Sequence, residues 1–151
     1  MALDGFIGML MRGAYLSFHR RAGANFSRLG VTADQYVLLT TLAEEPESLT
    51  QRDLADHTYS DENTIRGMLI RFEKKGLVDR HFCAEDGRAR RTRLTKRGRA
   101  LQRKLAVAAA PFHKLLDDSL PEAESVRVAK WLTTVIEEIR SEPTVRRERK
   151  S

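Results

Sequence analysis

This chain has few of the residues from which disulfide frameworks, metal centres and catalytic sites are built. Cys83 is the only cysteine among 151 residues, so no intrachain disulfide can form, and a cytoplasmic location is expected. The four histidines, His19, His57, His81 and His113, are scattered. His81 and Cys83 would share one face of a strand, but two ligands do not complete a zinc site, and no metal or other cofactor is expected. There is no glycine-rich phosphate loop, nucleophile elbow or carboxylate pair, so an enzyme is not expected. No apolar run approaches the roughly 18 residues that a membrane-spanning helix needs. The opening "MALDGFIGMLMRGAYLSFHRR" lacks a basic leader before its apolar part, carries Asp4 and ends in basic residues. It reads as a helix of the mature chain rather than a signal peptide.

Hydrophobic residues make up 41% and charged residues 32% of the chain, enough apolar material for a core. The length suits one domain, or one domain with helical extensions. The charge is unevenly placed. Between Arg66 and Lys104 fourteen Lys/Arg face four acids, a local charge of +10; the whole chain carries +6, which leaves −4 for the remainder. A basic middle on a slightly acidic body is either a localised polyanion site or a solvated charged surface.

Periodicity divides the chain into elements. Leu3, Ile7, Leu10, Ala14 and Phe18 recur at helical spacing, predicting a first helix to about Arg28 that Gly30 stops. "TADQ" (32–35) is a capping-box pattern opening a second helix with Tyr36, Leu39 and Leu42 on one stripe, and "EEPES" is a loop. "TQRD" (50–53) opens a short helix with Leu54 and Ala55 inward. "TYS" is a tight turn, after which Ser60 is expected to cap a helix whose Ile65, Leu69 and Phe72 face inward and which ends at Lys74, Lys75 and Gly76. Leu77–Cys83 and Thr92–Thr95 read as two strands, with Asp86-Gly87 as the turn pair between them.

The helical period returns at Lys96. Leu101, Leu105, Ala108, Phe112 and Leu115 form a heptad seam, with Pro111 expected to kink it. "SLPE" (119–122) matches a capping box, and Val128, Leu132, Val135 and Ile139 form a last seam beside Trp131, ended by Pro143 before a frayed basic tail. Two short helices, a tight turn and a hairpin make a winged helix-turn-helix, so the fold class is mostly α with a small β-hairpin wing.

The second helix of such a unit usually reads the major groove. With Ile65, Leu69 and Phe72 buried, the opposite face holds Asn63, Gly67, Ile70 and Lys74, flanked by Arg66 and Arg71, with Thr64 and Glu62 near the start. Asn63 suits adenine and Arg66 suits guanine; Thr64 suits a base or a phosphate, and Ile70 a thymine methyl. Gly67 costs about 1 kcal/mol relative to alanine in mid-helix. It either permits close approach to base edges, or is a tolerated residue or one packed on the first helix. In the hairpin, Arg88 and Arg90 lie near the tip within reach of a minor groove, Asp86 can orient a guanidinium, and Arg91, Arg93, Lys96 and Arg97 lie nearer the phosphates. Cys83 is either a buried strand residue, which is favoured, or a redox sensor activated by Arg80 and Arg88.

The stretch "TQRDLADHTYSDENTIRGMLIRFEKKGLVDRHFCAEDGRARRTRLTKRG" resembles the core of the multiple-antibiotic-resistance regulator (MarR) family. The likeness lies in "TQ–DLA", "EKKGLV-R", an Asp-x-Arg-x-x-Arg wing at Asp86, Arg88 and Arg91, and "LT--G" at Leu94, Thr95 and Gly98; upstream, "LGVTADQYVLLTTL" is similar to the family's second helix. The resemblance implies a homodimer that binds double-stranded DNA at a pseudo-palindromic site and often represses a nearby gene until a small ligand or oxidant weakens binding. It places Asn63, Thr64 and Arg66 in the base-reading turn and Arg88 at the wing tip. Many members carry a larger polar or basic residue at the position of Gly67. Thiol-sensing members hold their cysteine near the start of the first helix, where this chain has none.

By the same resemblance an effector pocket would lie between the first helix, the second helix and the start of the helix after the wing; near that junction Tyr15, His19 and Tyr36 are either pocket residues or ordinary core or interface residues. The expected organisation is a dimerisation helix (1–30), a DNA-binding domain (31–98) with recognition helix 61–75 and wing 84–91, dimerisation helices (99–142) and a basic tail (143–151). The expected function is a dimeric, sequence-specific transcription regulator. The alternatives are a non-specific architectural DNA binder and a protein-interaction module.

Overall fold

Helices in this chain begin where the sequence supplies an oxygen to the first unpaired amides. The computed structural model describes residues 3–45, 47–82 and 87–141, which form two compact units, residues 1–110 and 111–151. In the first unit, helix α1 (Leu3–Phe26) passes into a 3-10 turn at Ser27–Leu29, closed by Gly30 at φ 68°. Helix α2 (Ala33–Glu44) starts with a reciprocal cap: the Gln35 amide donates to the Thr32 hydroxyl at 3.2 Å, and the Thr32 amide to the Gln35 side chain at 3.1 Å.

Helix α3 (Gln51–His57) repeats the device with Thr50 and Asp53. Helix α4 (Glu62–Lys74) is capped by Asp61, not by the expected Ser60. The Ser60 hydroxyl instead donates back to the Thr58 carbonyl at 3.3 Å. Tyr59, at φ 53°, turns the chain so that Asp61 arrives in the extended conformation a cap needs. A carboxylate there also suits the positive end of the helix dipole.

A three-stranded antiparallel sheet follows, in the order β1 (Leu49–Thr50), β3 (Arg90–Leu94), β2 (Val78–Phe82). Two features depart from the sequence reading. The returning strand starts at Arg90 rather than Thr92, so Arg90 and Arg91 belong to the sheet rather than to the turn. The two-residue β1 was not anticipated, because "LT" is too short to show a period of two. It makes β3 the central strand, and Thr92, paired with Leu49 on one side and Arg80 on the other, is wholly buried. Cys83 and Asp86, the aspartate of the expected turn pair, lie outside the described residues.

The core gathers Phe26 from α1, Leu38 and Leu39 from α2, Leu54 from α3, Ile65, Leu69 and Phe72 from α4, and Leu105 from helix α5 (Lys96–Ser119). Leu49, Val78 and Leu94 extend it under the sheet. Each fully buried side chain of this kind stabilises the fold by roughly 1.5–3 kcal/mol.

One junction ties helix, sheet and helix together. The Thr95 amide donates to the Leu77 carbonyl at 3.0 Å, its hydroxyl donates to the Gly76 carbonyl at 2.7 Å, and that hydroxyl caps α5 by accepting from the Gly98 amide at 3.0 Å. Thr95 is thus both the end of the strand connection and the cap of α5. Gly98 is buried against the Leu77 carbonyl, and a Cβ there would collide with that oxygen.

The second unit comprises the rest of α5, which runs on through Pro111, and helix α6 (Glu122–Ser141). Ser119 does not cap α6: it is the last residue of α5, and its hydroxyl donates to the Leu116 carbonyl at 2.8 Å. The first turn of α6 is closed by a Ser125 amide bond to the Pro121 carbonyl at 2.9 Å. No described α6 residue is buried, and Val128, Trp131 and Ile139 are exposed. Pro143 and the basic tail lie outside the described residues.

Two stability measurements check this account. Gly98→Ala should cost about 1–3 kcal/mol in chemical unfolding, because the added methyl has no room; a neutral substitution would refute the collision. The second concerns Asp53, whose carboxyl is held below the ordinary 3.8 by the Thr50 hydroxyl and then by the Thr50 amide. A carboxyl lower in the folded than in the unfolded chain adds stability that is complete above the unfolded value and is lost as pH falls through the folded one. Asp53→Ala should therefore lower the unfolding temperature near neutral pH, with the gap to the parent closing below about pH 4; a gap of constant size would count against the cap.

Candidate nucleic-acid interface

The two faces of α4 differ sharply. Ile65, Met68, Leu69 and Phe72 are buried, while Asn63, Thr64, Arg66, Gly67, Ile70, Arg71 and Lys74 are exposed. Among the described residues, Arg66, Arg71 and Lys74 form no ion pair within the chain. Ile70 is 39% exposed amid polar neighbours. A Cβ on Gly67 would meet nothing within 4 Å, which removes packing on the first helix as a reason for the glycine.

Thr64 is more committed than its sequence position suggests. Its hydroxyl donates to Asp61 at 2.6 Å and its amide donates to the same carboxylate at 2.9 Å, which together hold the Asp61 carboxyl below its ordinary range. The hydroxyl therefore presents a lone pair outward. That suits a base amino group and does not suit a phosphate.

The start of α4 is also tethered to α3 by a Gln51 side-chain bond to the Glu62 carbonyl at 3.3 Å. Such a contact between side chain and backbone across eleven residues has no local sequence signal.

The wing divides its arginines. Arg88, in the turn, and Arg90, at the start of β3, are exposed. Arg90 lies over the Phe82 ring, 4.9 Å from its centroid. Arg91 is drawn partly inward, donating to the Ser48 carbonyl at 2.7 Å and so tying β3 to the start of β1. Arg93 pairs with Asp79 across the sheet at 3.0 Å. Lys96 and Arg97 are exposed in the first turn of α5, which carries no acid. Cations there oppose the helix dipole, an arrangement that an external anion would relieve.

The three aromatic candidates for an effector pocket lie on α1 (Tyr15 and His19) and α2 (Tyr36). Tyr15 and His19 stack with ring centroids 5.6 Å apart, and His19 lies 3.4 Å from Asp34. Tyr36 packs instead on Phe26, at 4.4 Å, beside the core. An open hollow of about 410 Å³ lies where α1 turns into α2, lined by His19, Gly23, Ser27, Gly30, Val31, Thr32 and Ala33. Of the three candidates only His19 reaches it. Among the described residues no group of three metal-ligating side chains comes together, and no helix is long and apolar enough to cross a membrane.

Gly67→Ala separates packing from function. It should raise stability by up to about 1 kcal/mol, since the helix gains and nothing clashes, while weakening DNA binding. Unchanged affinity in a titration with duplex DNA would show that the open position is merely tolerated.

Comparison with known proteins agrees with this geometry. The MarR family profile matches residues 29–89. The chain is 36% identical over 77 residues to the organic hydroperoxide resistance transcriptional regulator of Bacillus subtilis (strain 168), covering 51% of this chain and 52%, about half, of that relative. It is 30% identical over 104 residues to the HTH-type transcriptional repressor Rv2887 of Mycobacterium tuberculosis (strain ATCC 25618 / H37Rv), covering 69% of this chain and 74% of the repressor. Among solved structures, a mutant of S. aureus MepR bound to an oligodeoxyribonucleotide aligns with TM-score 0.57 at 25% identity over 88% of this chain and 97% of that one. PcaV from Streptomyces coelicolor, in complex with its natural ligand, aligns with TM-score 0.74 at 25% identity over 91% and 96%. A likeness of this extent to a family of regulators, in sequence and in fold, makes this protein a member of the MarR family of winged-helix transcription regulators.

Proposed function

We propose that this chain is a sequence-specific repressor that acts as a homodimer on a pseudo-palindromic operator and is released by a small ligand. The observation that carries the reading is the outward face of α4, where three cations without an intrachain ion pair among the described residues flank an open glycine. Asn63, Thr64 and Arg66 read bases from the first turns, Gly67 lets the helix approach, and Ile70 meets a thymine methyl. Arg71, Lys74, Lys96 and Arg97 neutralise phosphates and supply most of the affinity. Arg88, with Asp86 two residues before it in sequence to orient it, enters the minor groove, and Arg90 and Arg91 hold the wing beside it.

Dimerisation is supported by apolar surface that the chain leaves uncovered. Met9 of α1 is 71% exposed, with Phe6 and Leu10 on the same helix, and Trp131 and Ile139 are exposed on α6. Monomers rarely leave so much apolar surface in water. In the dimer, the helices at 1–30 and 99–142 form the interface around the DNA-binding part at 31–98. Ligand response is supported by the hollow beside His19 and by PcaV, solved with its natural ligand.

Selection of bound sequences from random DNA tests the reading as a whole. It should return a pseudo-palindrome with half-sites about 10 base pairs apart; a specificity ratio near one would replace the repressor with an architectural binder. Arg88→Ala should weaken operator binding at least about tenfold without altering the dimer, and undiminished affinity at physiological salt would remove the wing from the interface. Arg66→Ala should relax the preference at one base position, by about 1–3 kcal/mol; a uniform loss across sequences would make Arg66 a phosphate contact instead.

A further inference from the structure

We propose that Phe82 is a positioning residue of the DNA interface: its ring holds the Arg90 guanidinium by one flat face at the base of the wing, so that the guanidinium edge is presented to a DNA phosphate. The proposal rests on the DNA-binding reading above.

Phe82 lies outside the hydrophobic core. It ends β2 and is 59% exposed. The residues of the same sheet face that lie nearer the helices, Val78, Thr92, Leu94 and Leu49, are buried. That face leaves the core as it approaches Phe82 and its cross-strand partner Arg90. A large aromatic ring this exposed gains little from burial. What it does touch is a cation, 4.9 Å from its centroid.

Arg90 also differs from its neighbours in the kind of partner it has. Strand β3 carries three arginines. Arg91 spends donors on the Ser48 carbonyl, and Arg93 spends two on Asp79. Among the described residues, Arg90 has a ring and no oxygen partner. An oxygen acceptor consumes the in-plane N–H groups of a guanidinium, whereas an aromatic ring occupies only its π face. The stacked Arg90 is therefore restrained in direction while its planar fork of donors stays available, which is the form in which arginine pairs with phosphate. The side chain sits two residues beyond Arg88, on the strand that leads out of the wing turn. A contact here anchors the wing's base while its tip enters the groove.

A phosphate contact is independent of sequence, so random-sequence duplex DNA is the probe, with affinity followed across a salt series. Phe82→Leu should lose about threefold to tenfold in affinity and reduce the slope of log affinity against log salt by about one. Phe82→Tyr and Phe82→Trp should keep both, because the ring is retained. Arg90→Ala should match Phe82→Leu, and the double substitution should add little to either. An unchanged slope in Arg90→Ala, or losses in the double variant equal to the product of the single ones, would overturn the proposal. If Phe82→Leu does not fold, Arg90→Ala against Arg90→Lys decides it: lysine, which keeps the charge but presents no planar fork, should recover only part of the affinity, and full recovery would overturn the stacking argument. Wild-type protein that shows no salt-dependent DNA affinity would refute the DNA-binding reading itself, which is a separate outcome.

Discussion

The burial of one stripe of α4 is the constraint on which the rest of this protein depends. Ile65, Met68, Leu69 and Phe72 are taken into the core, and a helix with 3.6 residues per turn then has no freedom in what it turns outward. Asn63, Arg66, Gly67 and Ile70 face solvent because those four apolar residues do not. The Asp61 cap sets where the helix begins, and the bond from Gln51 to the Glu62 carbonyl holds that beginning against α3. The exposed face is thus a by-product of hydrophobic burial, trimmed at its start by two hydrogen-bonding side chains.

The wing shows how similar charges come to play different parts. Four arginines lie in the stretch from Arg88 to Arg93, and composition treats them alike. Their partners do not. Arg91 is committed to a carbonyl and Arg93 to a carboxylate, so both hold the sheet together. Arg90 rests on a ring and Arg88 stands in the turn. The strand register decides this, because pairing Arg93 with Asp79 and Arg90 with Phe82 follows from a single choice of alignment between β2 and β3. A shift by one residue would exchange the faces of all of them.

Much of the fold was legible in the chain, for local reasons. The capping boxes at Thr32 and Thr50, the glycine stop at Gly30, the apolar stripe of α4 and the cap at Thr95 each depend on residues within one helical turn of one another. What was misread also has local causes. Ser60 and Ser119 have good capping chemistry, but backbone geometry placed Asp61 at the first cap and turned the Ser119 hydroxyl back into its own helix. Strand β1 was too short to show its period, and without it β3 was assigned too few residues. In the candidate site, the outward set on α4 followed from periodicity. The orientation of the Thr64 hydroxyl, the inward bond of Arg91 and the packing of Tyr36 on Phe26 did not, since each depends on a partner chosen in three dimensions.

The sequence by itself determined which elements form, which face of each is apolar, and where positive charge concentrates, because propensity, capping and periodicity act over a few residues. Its motifs were also sufficient to suggest the family. Tertiary structure alone decided why Gly98 cannot be anything larger, since the Leu77 carbonyl that excludes a side chain comes from twenty-one residues earlier in the chain. It also decided that Gly67 is unconstrained by packing, and that Arg91 and Arg93 of the wing are bonded within the sheet while Arg90 lies over a ring. Those outcomes depend on distances between segments remote in sequence, and such distances exist only once the core has brought the segments together.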